Sequence, residues 1–252
     1  MRETDQAVER LAGAPRLLVC TDFDGTICEL GPDAYAVTPD PRALAALSAL
    51  ANMPDTTVTV LSGRHVDGLR RVCPLEPPVV FVGSHGAECS GHAITLSPER
   101  EAQLVDIERR LEAIANGNKP AFVEAKPFSR VLHVAALAQT DPGRAQMLID
   151  DACVLSNELP AGVSVTPGHN IMEFSVAAVT KGTWLAEAKR EYDATVFAGD
   201  DVTDETAFAV LGLKDVSIKV GPGETAAGMR LPNVEAVAAF FDALLSARQA
   251  PR

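Results

Sequence analysis

The run Leu17-Leu18-Val19-Cys20 is apolar at every position, so a strand built from it is buried on both faces, inside a parallel sheet covered by helices. That requirement already narrows the fold to an α/β class. The run delivers Thr21-Asp22-Phe23-Asp24-Gly25-Thr26 at its end, two carboxylates two residues apart at the mouth of a buried strand. Such a pair can share one divalent cation and still leave an oxygen free to attack an electrophile. Gly25 and Thr26 let the backbone turn and offer donors to an anion held against the first carboxylate. Asp-Gly is also a common turn dipeptide, so the pair alone decides nothing.

The chain then repeats the pattern of helix and strand. A helix from about Pro41 carries Leu44, Leu47 and Leu50 at helical spacing, and Val58-Thr59-Val60-Leu61 reads as a second strand running into Ser62-Gly63-Arg64. A hydroxyl and a glycine N–H at a strand end, just before a helix, form an anion-binding corner. Val79-Val80-Phe81-Val82 gives a third strand, ending in Gly83-Ser84-His85-Gly86-Ala87-Glu88. Between about Gly86 and Val176 the character changes: short strands (Ala93 to Leu96, Phe122 to Glu124, Arg130 to Val134, Val163 to Val165, Asn170 to Phe174) surround helices starting near Pro98 and Pro142. That is an α+β layer, sheet on one side and helices on the other. The parallel pattern resumes when Lys181 opens the helix Thr183 to Tyr192, and Thr195-Val196-Phe197-Ala198 delivers Gly199-Asp200-Asp201-Val202-Thr203-Asp204-Glu205. Val216 to Val220 adds a strand, and a last helix carries Val234, Val237, Phe241, Leu244 and Leu245 on one face. The expected architecture is a Rossmann-like parallel sheet core from residues 1–85 and 177–252, with an α+β cap inserted at 86–176.

Composition excludes several classes. A formal net charge of −12 argues against a nucleic-acid partner, which needs a cationic stripe. Five cysteines make an odd count with no Cys-x-x-Cys pair, so neither a disulfide framework nor a zinc site is indicated and a reducing cytosol is expected. The start Met1-Arg2-Glu3-Thr4-Asp5 lacks an apolar export segment, and no apolar run approaches the ~20 residues of a membrane span. A cytoplasmic protein without a membrane partner is the expectation.

In an open parallel sheet the ligand lies outside the carboxyl ends of the strands. Asp22 and Asp24, Ser62 and the Asp200 cluster each follow such an end, and Lys181 at a helix start can reach the same crevice. Taken singly, the acidic run is a solvated loop and Lys181 a surface lysine. Together, carboxylates, a hydroxyl, an ammonium and backbone donors suit a phosphoryl group passing to a carboxylate.

The four motifs, in this order, resemble the signatures of the haloacid dehalogenase-type phosphatases, and the α+β insertion is similar to that superfamily's larger cap. More narrowly, Gly83 to Glu88, Val123-Glu124-Ala125-Lys126, Pro167-Gly168-His169 with Glu173, and Gly199 to Glu205 resemble the trehalose-6-phosphate phosphatases. The likeness spans nearly the whole chain after about residue 15. It implies a Mg²⁺-dependent phosphomonoesterase acting on a small-molecule sugar phosphate through an aspartyl-phosphate. Asp22 is then the nucleophile and Asp24 the acid, later the base. The ion is held by Asp22, the main-chain carbonyl of Asp24 and Asp200, with Asp201 and Asp204 supporting it in an order the sequence leaves open. Ser62, Gly63 and Lys181 bind the phosphoryl oxygens. Arg64, His85, Glu88, Glu124, Lys126, His133, His169 and Glu173 are the substrate-binding candidates; Glu124 and Lys126 share one face of an extended strand.

One departure bears on the substrate. Where the family reads His-x-Arg this chain has His133-Val134-Ala135, which takes a guanidinium away from a sugar-facing strand. A related disaccharide phosphate, or a cyclitol-containing pseudo-disaccharide phosphate, is therefore the alternative substrate. A phosphoaccepting receiver domain shares the Asp, hydroxyl, Lys and metal, but has no second carboxylate two residues on and no large cap. A silent binding scaffold would not keep Asp22, Asp24, Ser62, Lys181 and Asp200 together, whereas a phosphomutase would keep the same four motifs. The oligomeric state stays open, a monomer being sufficient.

Overall fold

The computed structural model describes residues 3–250 except 32, 34, 90, 91, 94 and 169. The chain opens with α1 (Glu3–Ala12), β1 (Leu17–Thr21), α2 (Pro41–Ala51), β2 (Thr56–Leu61), α3 (Val66–Val72), β3 (Val80–Gly83), β4 (Glu88–Cys89) and β5 (His92–Ala93). It continues through α4 (Pro98–Ala115), β6 (Phe122–Ala125), β7 (Ser129–His133), α5 (Ala135–Ala138), α6 (Pro142–Ser156), β8 (Ser164–Gly168) and β9 (Ile171–Ser175). It closes with α7 (Lys181–Ala188), β10 (Ala194–Gly199), α8 (Glu205–Phe208), β11 (Val216–Val220), β12 (Met229–Leu231) and α9 (Val234–Gln249). Three helices start alike: Asp40, Ser97 and Asp141 accept from main-chain N–H groups of the first turn, and the next residue is proline.

Two compact units divide the chain, Met1–Ala93 with Val179–Arg252, and Ile94–Ala178. In the first, strands lie in the order β12-β11-β10-β1-β2-β3-β4-β5, and neighbours from β12 to β3 are parallel. The chain builds outward from β1 through β2 and β3, then returns to build the other side from β10, so its direction reverses between β1 and β10. Alternation along β1 explains its continuous apolar run. Leu17 and Val19 join a core with α1, α2 and α9, while Leu18 and Cys20 join one with α7 and α8.

β4 and β5 form an antiparallel hairpin on the edge of this sheet. Residues 86–93, read from sequence as the start of the insert, therefore lie in the first unit. The strand expected over Ala93 to Leu96 is instead β5, with Thr95 and Leu96 outside any strand. Helix α1 was not expected; Ala7, Val8 and Leu11 bury one side of it among otherwise charged positions.

The second unit is a four-stranded antiparallel sheet, order β6-β7-β9-β8. Leu132, Met172 and Phe174 pack one face onto Leu104, Ile107 and Leu111 of α4 and Leu148 and Ala152 of α6. Register puts Glu124, Val131, Glu173 and Thr166 in one row on the other face. No helix among the described residues is long and apolar enough to cross a membrane.

Candidate active site

Parallel pairing of β1 with β10 sets Thr21 beside Ala198, so Asp22 after β1 and Asp200 after Gly199, the last residue of β10, leave the sheet at the same end. Asp22, Asp200 and Asp204 each bring one carboxylate oxygen to within 4.8 Å of the others. Asp204 is returned to the cluster by the 3₁₀ turn Val202–Asp204, and is fully buried. Asp201 caps that turn: its Oδ1 accepts from the Val202 N–H at 2.7 Å, and its own N–H donates to Asp204 Oδ2 at 3.0 Å. The two residues left unranked by the sequence thus stand differently, Asp204 in the cluster and Asp201 exposed as the cap of the turn. Lys181, at the first turn of α7, places Nζ 2.9 Å from Asp22 Oδ2 and 2.7 Å from Asp204 Oδ1. Asp22 Oδ1 accepts from the Phe23 N–H at 2.7 Å.

Gly25 has φ +68°, and a Cβ there would fall 2.1 Å from Asp200 Oδ2. Only glycine lets the Asp22 loop turn this tightly against the second carboxylate.

The electrostatics of the cluster follow from three carboxylates set against the Lys181 ammonium within it and the Lys219 ammonium beside Asp200. Burial pushes Asp22 well above the usual carboxylate range; Lys181 opposes the rise, and repulsion from Asp204 and Asp200 adds to it. Asp200 is pushed up to about 7, by burial and then by Asp204 and Asp201. Burial alone would lower Lys181, but Asp204 and Asp22 outweigh it and hold the ammonium charged. Carboxylates crowded at such a point, each oxygen keeping a lone pair beyond these bonds, fit a hard divalent cation, whose charge would relieve the repulsion.

Sequence reasoning missed Lys219. Its buried Nζ donates to the Asp200 main-chain carbonyl from neighbouring β11, tying down the segment that carries Asp200. The signal was a lone lysine inside the otherwise apolar end of a strand, Ile218-Lys219-Val220.

Ser62, Gly63 and Arg64 follow β2. Ser62 is buried and its Oγ accepts from the Arg64 N–H at 3.1 Å. The His85 ring packs against Gly63 so closely that a Cβ there would fall 2.6 Å from His85 Cε1. Arg64 turns to Asp24: Nε lies 2.7 Å from Oδ2 and Nη2 2.6 Å from Oδ1. The Asp24 carboxylate therefore stands outside the three-carboxylate cluster, and a ligand role for Asp24 rests on its main-chain carbonyl alone. Glu88 has partners within its own unit: its carboxylate accepts from the Val66 N–H at 2.9 Å and from Ser84 Oγ at 2.7 Å, so it braces the first turn of α3 and the Ser84 turn.

In the second unit Glu124 and His133 pair at 2.9 Å, and Phe122 stacks on the His133 ring at 4.6 Å. Lys126 lies 3.4 Å from Glu173 Oε1, which also accepts from Ser129 Oγ at 2.5 Å. Ala135, expected on a sugar-facing strand, lies instead beyond the end of β7 and opens the short helix α5. His169 lies outside the described residues.

A doubly wound parallel sheet with Asp-x-Asp after its first strand, and a lysine and acidic cluster gathered at that strand's end, has the architecture of the haloacid dehalogenase-type phosphatases. A solved structure of the Candida albicans trehalose-6-phosphate phosphatase C-terminal domain shares the fold, with TM-score 0.76 and 18% identity over 97% of this chain and 98% of that one. The family model for trehalose-phosphatase matches residues 20–232, and the chain belongs to that family. It is 30% identical to the trehalose-6-phosphate phosphatase of Escherichia coli, covering 92% of this chain and 87% of that protein. It is 32% identical to the bifunctional trehalose-6-phosphate synthase/phosphatase of Thermoproteus tenax, covering 95% of this chain but only 33% of that protein's length.

Proposed function

We propose that the protein is a Mg²⁺-dependent phosphomonoesterase that hydrolyses trehalose 6-phosphate to trehalose and phosphate. The observation that carries this reading is the convergence of Asp22, Asp200, Asp204 and Lys181 at the ends of β1 and β10. Asp22 attacks phosphorus in line: its oxygen bonds to phosphorus as the ester P–O bond breaks, and Asp24 gives the departing sugar oxygen a proton. Water then attacks the aspartyl-phosphate, its proton passes to Asp24, and release of phosphate restores the Asp22 carboxylate. Lys181, Ser62 and the Gly63 N–H hold the equatorial phosphoryl oxygens, where the transition-state charge lies. Mg²⁺ would be held by Asp22, Asp200 and Asp204 with the Asp24 main-chain carbonyl, and would screen the repulsion between the attacking carboxylate and the phosphate.

Glu124, Lys126, His133 and Glu173 supply the polar groups for sugar hydroxyls; their hydrogen bonds to one another are the ones a sugar would exchange. Ala135 keeps a second substrate in view, a related disaccharide phosphate or a cyclitol-containing one. Free cysteines, among them the buried Cys20, Cys28 and Cys73, favour the reducing cytoplasm as its location.

The test is phosphate release from trehalose 6-phosphate, glucose 6-phosphate and cyclitol-containing disaccharide phosphates, with and without chelator. Release from trehalose 6-phosphate above the others, lost with chelator, is expected. Release from none of them would overturn the reading.

A further inference from the structure

Arg64 grips both oxygens of the carboxylate that the proposed reaction uses to move a proton. The grip is itself held in place. The guanidinium carbon lies 5.4 Å from the Phe23 ring centroid and 5.9 Å from that of Tyr35. The Arg64 N–H donates to Ser62 Oγ at 3.1 Å, and its carbonyl accepts from the Ser84 N–H at 2.8 Å. The Arg64 side chain is 13% exposed, against 30% for Asp24. A carboxylate seated in a bidentate fork has its best-directed lone pairs occupied. The fork therefore fixes where the Asp24 carboxylate stands, while each of its oxygens keeps a second lone pair.

From this geometry we infer that Arg64 is a positioning residue for Asp24. The fork sets the place and direction of the two Asp24 oxygens. This rests on the proposed phosphomonoesterase reading, and it gives Arg64 a role other than contact with the sugar. The step balances simply. The Asp22 oxygen bonds to phosphorus, the ester P–O bond breaks with its electron pair on oxygen, and the Asp24 proton goes to that oxygen. The charge left on Asp24 is the one Arg64 meets.

The dependence should follow the leaving group and not the sugar. A series of aryl phosphates from dinitrophenyl to phenyl tests it, with kcat/KM measured at saturating Mg²⁺ for wild type, R64M, R64K, D24N and D24N/R64M. Phenolates low in basicity leave without a proton; the more basic ones need it. R64M is expected to lose about 30- to 100-fold on phenyl phosphate and less than about 3-fold on dinitrophenyl phosphate, general acid catalysis being worth ~10²–10⁴-fold. R64K keeps the charge without the fork and should fall between wild type and R64M. D24N/R64M should be no worse than D24N, since the two act through one proton. A uniform loss across the series, additive losses in the double variant, or an effect confined to KM for the sugar phosphate would each overturn the inference. Should R64M fail to fold, R64K carries the same comparison. A wild type that releases phosphate from no ester would sink the functional reading beneath; failure of the leaving-group pattern alone leaves that reading standing.

Discussion

The two units spend their polar groups differently. In the sheet of the first unit, Asp22, Ser62, Lys181 and Asp204 are each at most 5% exposed, and hydrogen bonds to one another or to main chain fix each of them. In the second, the Lys126–Glu173 and Glu124–His133 pairs lie on the face of the sheet turned away from its helices, with side chains 13–28% exposed. Burial raises the energetic stake of every charge in the first set, because a buried group cannot exchange a lost partner for water. The pairs of the second set keep more contact with solvent, and losing a partner there costs less. The first environment suits the fixed geometry of the proposed chemistry, and the second the adjustable contacts of the proposed recognition.

The sharpest way to break that contrast is at its centre. Asp22→Asn should cut kcat by more than about 10⁴-fold, as loss of a nucleophile does elsewhere. Its melting temperature should not fall, because one of the repelling carboxylates has been neutralised. Near-normal turnover in a steady-state phosphate assay would remove Asp22 from the chemistry.

Gly25→Ala probes the same environment without touching a charge. The added methyl meets the Asp200 carboxylate and demands a φ that alanine resists, so Asp200 has to move. Mg²⁺ binding by calorimetry should weaken about 10- to 100-fold, the usual effect of disturbing a ligand's support. Unchanged affinity would mean that Asp200 is not held in place by this close approach.

The strand-end carboxylates and Lys181 were legible because each motif sits at a change of pattern, an apolar run ending in acid or hydroxyl. What was not legible depended on register. β1 pairs with β2 so that Thr21 stands beside Val60, and three residues on Asp24 arrives next to Gly63-Arg64. The fork between them is a consequence of sheet pairing, which neither segment announces. Asp201 and Asp204 could not be ranked because their difference is which way a 3₁₀ turn faces. The bond from Glu88 to the Val66 N–H, twenty-two residues earlier, is likewise announced by nothing in its own motif.

On the adjustable side, Lys126→Ala should raise KM for the sugar phosphate about 10-fold, the lower range for a hydrogen bond to a charged group. KM for a small aryl phosphate should stay where it is. Equal changes on both substrates would mean the lysine serves the architecture of its sheet, holding Glu173, and does not read the sugar.

The smallest effect concerns stability. Asp200 titrates near 7 in the folded protein against 3.8 for an ordinary aspartate, so between those values the fold keeps a proton that the unfolded chain has released. The native state binds more protons, and stability therefore falls as pH rises from about 4 to about 7, then levels off. The elevated Asp22 acts in the same direction. Mg²⁺ needs the deprotonated carboxylates, so its stabilisation should be nearly absent at pH 5 and grow toward pH 8. Thermal melts at pH 5, 6.5 and 8 should give a Mg²⁺-dependent rise that reaches about 2–4 °C per kcal/mol gained at the alkaline end. A rise as large at pH 5 as at pH 8 would place the cation away from Asp200. The second unit, with no carboxylate cluster of this kind among its described residues, should contribute nothing to the trend.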